Sequence, residues 1–88
     1  MIAYRLKRSR LDAGLSQKEL GMAAGIEPET AKQRISQYEN GRASPPFPLA
    51  IRLAAVLDVP ECYFYIVSDD FAHEVVKLYK EETNLKSR

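Results

Sequence analysis

Apolar residues recur three and four positions apart along most of the chain, whereas alternation with a period of two is nearly absent. This pattern is typical of helices with one buried face, so it predicts an all-α fold. Leu6, Arg10 and Leu11 mark a first helix over about residues 3–13. We expect Gly14 to end it, because glycine adopts the left-handed backbone of a helix terminus without strain.

The next segment predicts two short helices joined by a tight turn. Ser16 and Glu19 fit a capping box, in which each side chain binds the other's backbone amide, so the second helix starts there and Gly25 ends it. Pro28 suits the first position of a third helix, and Asn40–Gly41 suits its left-handed end. The third helix is expected to bury a stripe formed by Ala31, Ile35 and Tyr38.

The second half of the chain predicts a proline-rich loop and three more helices. The loop covers residues 43–48, which contain three prolines. The fourth helix is marked by Leu49, Leu53, Val56 and Leu57. A short fifth helix carries Tyr63 and Phe64.

Ser68 is the expected N-cap of the sixth helix, because two acids follow it in the first turn. We assign residues 1–66 to one compact domain, and residues 67–88 to a C-terminal helix with a polar tail that frays from about residue 83. The predicted apolar face of this helix comprises Phe71, Val75, Leu78 and Tyr79. With Tyr63, Phe64 and Tyr65 these residues form the most apolar part of the chain, and they fit a core or a dimer interface equally well.

Composition argues against several other classes of protein. The 88 residues contain one cysteine, Cys62, so no internal disulfide forms, and a buried thiol is the expected state. His73 is the only histidine and lacks partners at metal-ligand spacing. No nucleophile–base motif or phosphate loop occurs, so we predict no enzyme activity, no metal and no cofactor. Without a signal peptide or membrane span in the sequence, the expected location is the cytoplasm.

Charge is distributed unevenly between the two halves of the chain. Residues 1–42 contain eight Lys or Arg and five acids, hence +3, whereas residues 43–88 contain five and seven, hence −2. A basic N-terminal half favours contact with a polyanion. Its cluster of Arg5, Lys7, Arg8 and Arg10 fits either a phosphate clamp or a solvated helix face.

Three motifs carry a resemblance to a known family. They read GLSQKEL at residues 14–20, AGI at residues 24–26 and ISQYENG at residues 35–41. With the apolar anchors that follow, residues 3–65 resemble the lambda-repressor-like helix-turn-helix family, which includes Cro and the phage repressors. The resemblance implies a compact five-helix domain that binds double-stranded DNA, followed here by the sixth helix.

The resemblance also implies which residues face DNA. The predicted base-reading residues are Lys32, Gln33, Arg34 and Gln37. The predicted phosphate contacts are Ser16, Gln17, Asn40, Gly41 and Arg42. Arg10 and Glu39 occupy positions that pair in phage repressors, where they tie the first helix to the end of the third.

A helical wheel at 100° per residue provides an independent check of these residues. When the buried stripe points inward, the outward positions are Glu29, Thr30, Gln33, Ser36 and Gln37. Of these, Glu29, Thr30 and Ser36 are additional candidates for base or backbone contacts. Gln33 and Gln37 lie one turn apart, and each amide can pair with adenine.

One departure from the family affects the third helix. Ten positions separate Gly25 from Ile35, four more than the family usually has, and these residues lengthen either the helix or the turn. The resemblance implies a sequence-specific regulator, and we expect a repressor that binds a pseudo-palindromic operator as a homodimer. The alternatives are an antitoxin that represses its own promoter and binds a small protein partner, and a protein-interaction module without DNA binding.

Overall fold

The computed structural model describes residues 1–86, and within that range it contains five α-helices, one 3₁₀-helix and no strand. The elements are α1 (Ala3–Asp12), α2 (Gln17–Ala23), α3 (Pro28–Glu39), α4 (Phe47–Leu57), η1 (Glu61–Tyr65) and α5 (Asp69–Lys86). The predicted all-α fold is confirmed. The fifth predicted helix is the 3₁₀-helix η1, and the sixth is α5.

The core lies among the first five elements, which we call the head. Its largest fully buried side chains are Leu6, Leu20, Ile35, Leu53 and Phe64. Each comes from a different element, in the order α1, α2, α3, α4 and η1. Removing any one of these elements would therefore expose the side chains of the other four.

The local signals in the sequence predicted most helix ends. Ser16 and Glu19 form the predicted capping box at the start of α2. Gly14, Gly25 and Gly41 adopt positive φ angles of 72°, 94° and 78° at the ends of the first three helices. The predicted stripe of Ala31, Ile35 and Tyr38 is buried on α3.

Two predicted boundaries were wrong. The loop is shorter than residues 43–48, because α4 begins at Phe47 and Pro48 lies in its first turn, where no amide donor is needed. The tail does not fray at residue 83, since α5 continues through Lys86. The rest of the predicted tail, residues 87–88, lies outside the described residues.

The four additional residues before Ile35 lengthen α3 and leave the turn short. Only residues 24–27 separate α2 from α3, and α3 has 12 residues. Pro28 stands at its start, as the sequence predicted. The helix that carries the predicted base-reading residues is therefore about one turn longer at its N-terminal end.

The predicted apolar face of α5 is not the face that packs against the head. Ala72 is the buried residue of this helix, and Val76 packs against the core of the head. Phe71 and Leu78, predicted on one face with Val75 and Tyr79, are instead 59% and 63% exposed. The helix thus has two adjoining apolar rows, and the one that contains Ala72 and Val76 packs against the head.

A buried arginine joins α1 to the start of α5. Arg5 is 3% exposed, and its Nε donates to the carbonyl oxygen of Ile66 at 2.8 Å. Its Nη2 donates to the carbonyl oxygen of Val67 at 3.2 Å and to Oδ1 of Asp69 at 3.0 Å. Tyr4 also donates its hydroxyl to Asp69. We call the side chains of Tyr4, Arg5 and Asp69 the Arg5 clamp.

Charge and hydrogen bonding within the clamp shift two pKa values. The hydrogen bond from Tyr4, followed by that from Arg5, lowers the pKa of Asp69 below its ordinary value. The same bond to Asp69 raises the pKa of Tyr4, because it favours the protonated phenol. The guanidinium carbon of Arg5 also lies 4.9 Å from the ring centre of Tyr4 and 5.4 Å from that of Tyr63. Asp69 is therefore an anion held by two donors, of which one, Arg5, is a cation.

Within residues 1–86, none of the helices combines the length and the hydrophobicity that crossing a membrane requires.

Close packing of α2 on α3 depends on Gly21. A Cβ atom at this position would lie 2.8 Å from Cβ of Ala31 and 3.1 Å from its Cα and carbonyl oxygen. These distances are shorter than van der Waals contact, so only glycine lets the two helix backbones approach this closely. The angle between α2 and α3 follows from this contact.

We expect Gly21→Ala to lower the free energy of unfolding by about 1–3 kcal/mol, the usual cost of overpacking a core. Urea denaturation of wild type, Gly21→Ala, Ala31→Gly and the double variant measures this cost. In the Ala31→Gly background the clash with the methyl group is gone, whereas the 3.1 Å contacts with the backbone of residue 31 remain, so Gly21→Ala should cost less than it does in the wild type. A stabilised single variant, which helix propensity alone predicts by about 1 kcal/mol, would show that the contact is not tight.

Candidate nucleic-acid interface

An open groove runs along the exposed side of α3. It has a volume of about 450 Å³ and is lined by Gln17, Glu29, Lys32, Gln33, Ser36, Gln37, Asn40 and Arg42. These residues belong to α2, α3 and the loop that follows α3. The fold therefore brings together eight of the residues that the sequence predicted to face DNA.

Gln33 and Gln37 lie one turn apart on this groove. Gln33 is exposed and Gln37 is half-buried. Within residues 1–86, neither side-chain amide hydrogen-bonds to another protein group, so both are available to a ligand. A carboxamide offers one donor and one acceptor side by side, which matches N7 and N6 of adenine in the major groove.

Arg34 and Thr30 do not line the groove. Arg34 donates from Nη2 to the Tyr38 hydroxyl at 2.9 Å, and its guanidinium carbon lies 6.0 Å from the Tyr38 ring centre. Thr30 points its hydroxyl back to the carbonyl oxygen of Glu27, at 3.4 Å. Both residues lie on the flank of α3 opposite Lys32, so Arg34 is the base-reading candidate that the structure separates from the other three.

The start of α2 borders the groove. Ser16 Oγ accepts from the Glu19 amide at 3.0 Å, and Glu19 Oε1 accepts from the Ser16 amide at 2.8 Å. The backbone amide of Ser16 lowers the pKa of Glu19, because it stabilises the carboxylate, and the Ser16 side chain adds to this effect. The capping box leaves the amides of Gln17 and Lys18 without an intrahelical acceptor, as at any helix start. Such amides can bind an anion.

Lys18 is a residue that the sequence interpretation missed. It is exposed and shares a small concavity with Ser16, Gln17 and Lys32, beside the groove. The available signal was its place in the first turn of α2, next to the two predicted phosphate contacts. Lys18 adds a cation to a surface whose other exposed cations are Lys32 and Arg42.

The loop after α3 is held by its own backbone. The amide of Arg42 donates to the carbonyl oxygen of Gln37 at 3.0 Å and lies 3.2 Å from Oδ1 of Asn40. Gly41 supplies the left-handed residue between them. These bonds leave the exposed side chain of Arg42 pointing away from the core, at the edge of the groove.

Arg10 and Glu39 form a bidentate ion pair inside the head. Arg10 Nε and Nη2 lie 2.6 and 3.0 Å from the two Glu39 carboxylate oxygens, and the side chains are 10% and 4% exposed. Arg10 Nη1 also donates to the carbonyl oxygen of Leu15 at 2.9 Å. Gln17 Nε2 donates to Glu39 at 3.1 Å. One carboxylate thus links α1, the start of α2 and the end of α3.

The N-terminal arginines do not form one cationic face. Arg5 and Arg10 are buried and bind groups of the protein. Arg8 is exposed and lies 3.4 Å from Asp12, one turn away. Arg5 and Arg10 are therefore not available to bind phosphate, which argues against the interpretation of this cluster as a phosphate clamp.

The remaining chemically distinctive residues do not assemble into a site. Cys62 is exposed, so the expectation of a buried thiol was wrong. His73 is exposed on α5. In the part of the chain that the structure describes, no three His, Cys, Asp or Glu side chains are grouped to hold a metal.

Comparisons with known proteins agree with the fold. A family profile described as helix-turn-helix matches residues 6–64. The crystal structure of the transcriptional regulator BswR is similar, with a TM-score of 0.86 and 37% sequence identity. The similarity covers 99% of this chain and 90% of the BswR chain. Among curated protein sequences, none matches the chain significantly.

We expect Glu39→Gln to cost about 3–5 kcal/mol of folding free energy, because it leaves the buried Arg10 charge without its counterion. Arg10→Met combined with Glu39→Gln should cost less than Glu39→Gln alone, since no uncompensated charge remains. Denaturant unfolding of the two single variants and the double variant measures the coupling between the residues.

The exposed pair of Arg8 and Asp12 is the matched control for this cycle. Its disruption by Asp12→Asn should cost no more than about 0.5 kcal/mol. A similarly small cost for Glu39→Gln would contradict a structural role for the buried pair.

Proposed function

Because this chain belongs to the lambda-repressor-like helix-turn-helix family, and is thus a DNA-binding transcription regulator, we propose that it is a repressor that binds a pseudo-palindromic operator as a homodimer. The observation that carries the proposal is the groove along α3, where polar side chains of α2, α3 and the following loop converge.

Base recognition would come from the outward side of α3. The DNA major groove, about 12 Å wide, admits one α-helix. Gln33 and Gln37 are free to pair with adenines, and Lys32 can donate to guanine or to a phosphate. Ser36 lies between them on the same groove. We assign Arg34 a supporting role, since it already binds Tyr38.

Phosphate contacts would flank the base-reading residues. Ser16, Gln17 and Lys18 would supply contacts at the start of α2, and Asn40, Gly41 and Arg42 would supply them in the loop after α3. Glu29 lies in the first turn of α3, where the helix dipole stabilises a carboxylate. Lys18, Lys32 and Arg42 of both protomers would face DNA in the dimer, so binding should weaken steeply as the salt concentration rises.

Dimerisation would use the outer apolar row of α5. Phe71, Leu78 and Leu85 are 59%, 63% and 69% exposed, and Val75 lies between the first two. The spacing of four, three and seven residues keeps them on one side of the helix, as in the seam of a coiled coil. A two-fold axis would bring this row against its own copy, which buries both rows at once.

Such a dimer presents two copies of α3 to two half-sites. Operators with two-fold symmetry are the expected target of a two-fold symmetric protein. Repression then requires only that the bound dimer occupy DNA that the polymerase needs.

The reading of bases can be tested by selecting bound duplexes from a random library. Wild type should enrich a palindromic motif. Gln33→Ala and Gln37→Ala should each relax the preference at one position of each half-site, by about 1–3 kcal/mol per base pair. Binding titrations on the selected sequence and on single-base variants measure this loss.

Arg42→Ala is the matched control on the same surface. It should weaken binding to all sequences alike and reduce the salt slope by about one per contact, while the motif persists. Unchanged sequence preference in both glutamine variants would contradict the assignment of α3. Wild-type binding to DNA without any enriched motif would contradict the proposal of a sequence-specific repressor.

The dimer can be tested by placing a charge in the apolar row of α5. Leu78→Glu should convert the dimer to a folded monomer, because two carboxylates would face each other across the two-fold axis. Asn84→Glu adds the same charge to an exposed position of α5 outside the row and should leave the dimer intact. Sedimentation equilibrium measures the mass, and circular dichroism confirms that both variants fold.

A monomeric wild type at micromolar concentration would contradict the homodimer. In that case the row on α5 would be free for a small protein partner, as in the antitoxin alternative.

A further inference from the structure

The Arg5 clamp lies at one end of a long helix. Its contacts reach Ile66, Val67 and Asp69, which are the last residues before α5 and its first residue. The helix then continues for 18 residues, or about 27 Å at 1.5 Å per residue. The clamp therefore holds α5 at its base.

Beyond the clamp, α5 is separated from α1 by an open groove. The groove has a volume of about 710 Å³. Arg8 and Asp12 of α1 line one side, and His73, Val76 and Lys80 of α5 line the other. Along this groove α1 and α5 face each other across open space, so direct contacts between these two helices beyond the clamp do little to fix the angle between them.

Few apolar contacts hold α5 against the head. Ala72 is its one buried residue among those whose side chains are described, and Val76 is a partly buried neighbour of the core. Both lie within the first half of the helix. Apolar contacts have no preferred direction, whereas hydrogen bonds do, so the charged hydrogen bonds of the clamp supply the directional restraint on α5.

The geometry makes this restraint sensitive. A tilt of α5 by 10° about the clamp would move its far end by roughly 5 Å, given its length. The rise per base pair of DNA is about 3.4 Å. This displacement of the far end of α5 exceeds the rise of one base pair. If α5 carries the dimer contact, such a tilt would therefore alter the distance between the two copies of α3.

We propose that the Arg5 clamp is a positioning device that sets the spacing between operator half-sites, by fixing the angle between α5 and the head. This inference rests on the proposed α5 dimer. The three clamp residues face away from the groove along α3, so they do not read bases themselves. Their effect on specificity passes through the orientation of α5.

Asp69→Ala is the first variant. The Asp69 side chain is 78% exposed, so its removal leaves no cavity in the core. Arg5→Lys is the second variant, since a lysine cannot donate along the three directions that Arg5 uses. Asp70→Ala is the matched control. It removes an acid from the same first turn of α5, but Asp70 is not part of the clamp.

The measurement uses the half-site recovered with the wild-type protein. Two copies are placed in inverted orientation with gaps of zero to about ten base pairs, one helical turn, and binding is ranked across the set. Wild type and Asp70→Ala should prefer one gap. In Asp69→Ala and Arg5→Lys the preference over neighbouring gaps should fall by about tenfold or more, equivalent to ~1.4 kcal/mol.

Affinity for a single half-site separates this effect from a general loss of folding. This affinity should agree within about twofold among all four proteins. That variation is well below the roughly tenfold loss of gap preference expected for the clamp variants. An unaltered gap preference in both clamp variants would overturn the inference while leaving the proposed function in place. A wild type that selects a half-site but tolerates every gap would also overturn it. The absence of any half-site motif would overturn the proposed function itself.

Discussion

The approach of α2 to α3 at Gly21 is the contact on which the DNA-binding surface depends. A Cβ atom added at Gly21 would lie 2.8 Å from Cβ of Ala31, so there is no space for a methyl group between the helices. Because α2 contributes the predicted phosphate contacts and α3 the predicted base contacts, their angle decides whether both can meet one DNA duplex. A backbone contact suits this purpose, since it has no side-chain rotamers that could repack.

The buried ion pair extends this constraint to the whole head. Glu39 receives two hydrogen bonds from Arg10 and one from Gln17, so it joins the end of α3 to α1 and to the first residue of α2. Gln17 also lines the groove. A buried pair of this kind contributes little net stability after desolvation, but its directional bonds favour one arrangement of the three helices.

Local signals in the sequence predicted most of the head. The way in which α5 packs on the head depends on contacts between distant residues, which no local signal contains. The capping box at Ser16 and the glycine helix ends act within a few residues, so they can be recognised from the sequence. Arg5 is buried by partners 61 to 64 residues away, and no local pattern distinguishes it from the exposed Arg8. Whether the predicted apolar row of α5 belongs to the core was left open for the same reason, because the shape of the head decides which of the two apolar rows of this helix is covered.

The head exposes fewer cations to DNA than its number of basic residues suggests. Of the four basic residues at positions 5–10, Arg5 and Arg10 bind protein groups, so they contribute little to the attraction of DNA. The cations left on the groove side are Lys18, Lys32 and Arg42, a small number for a DNA-binding surface. Fewer phosphate contacts mean weaker non-specific binding. In the proposed dimer, discrimination between DNA sequences would then depend more on the glutamines of α3 and on the simultaneous fit of two heads, so the orientation of α5 would become part of the recognition of DNA.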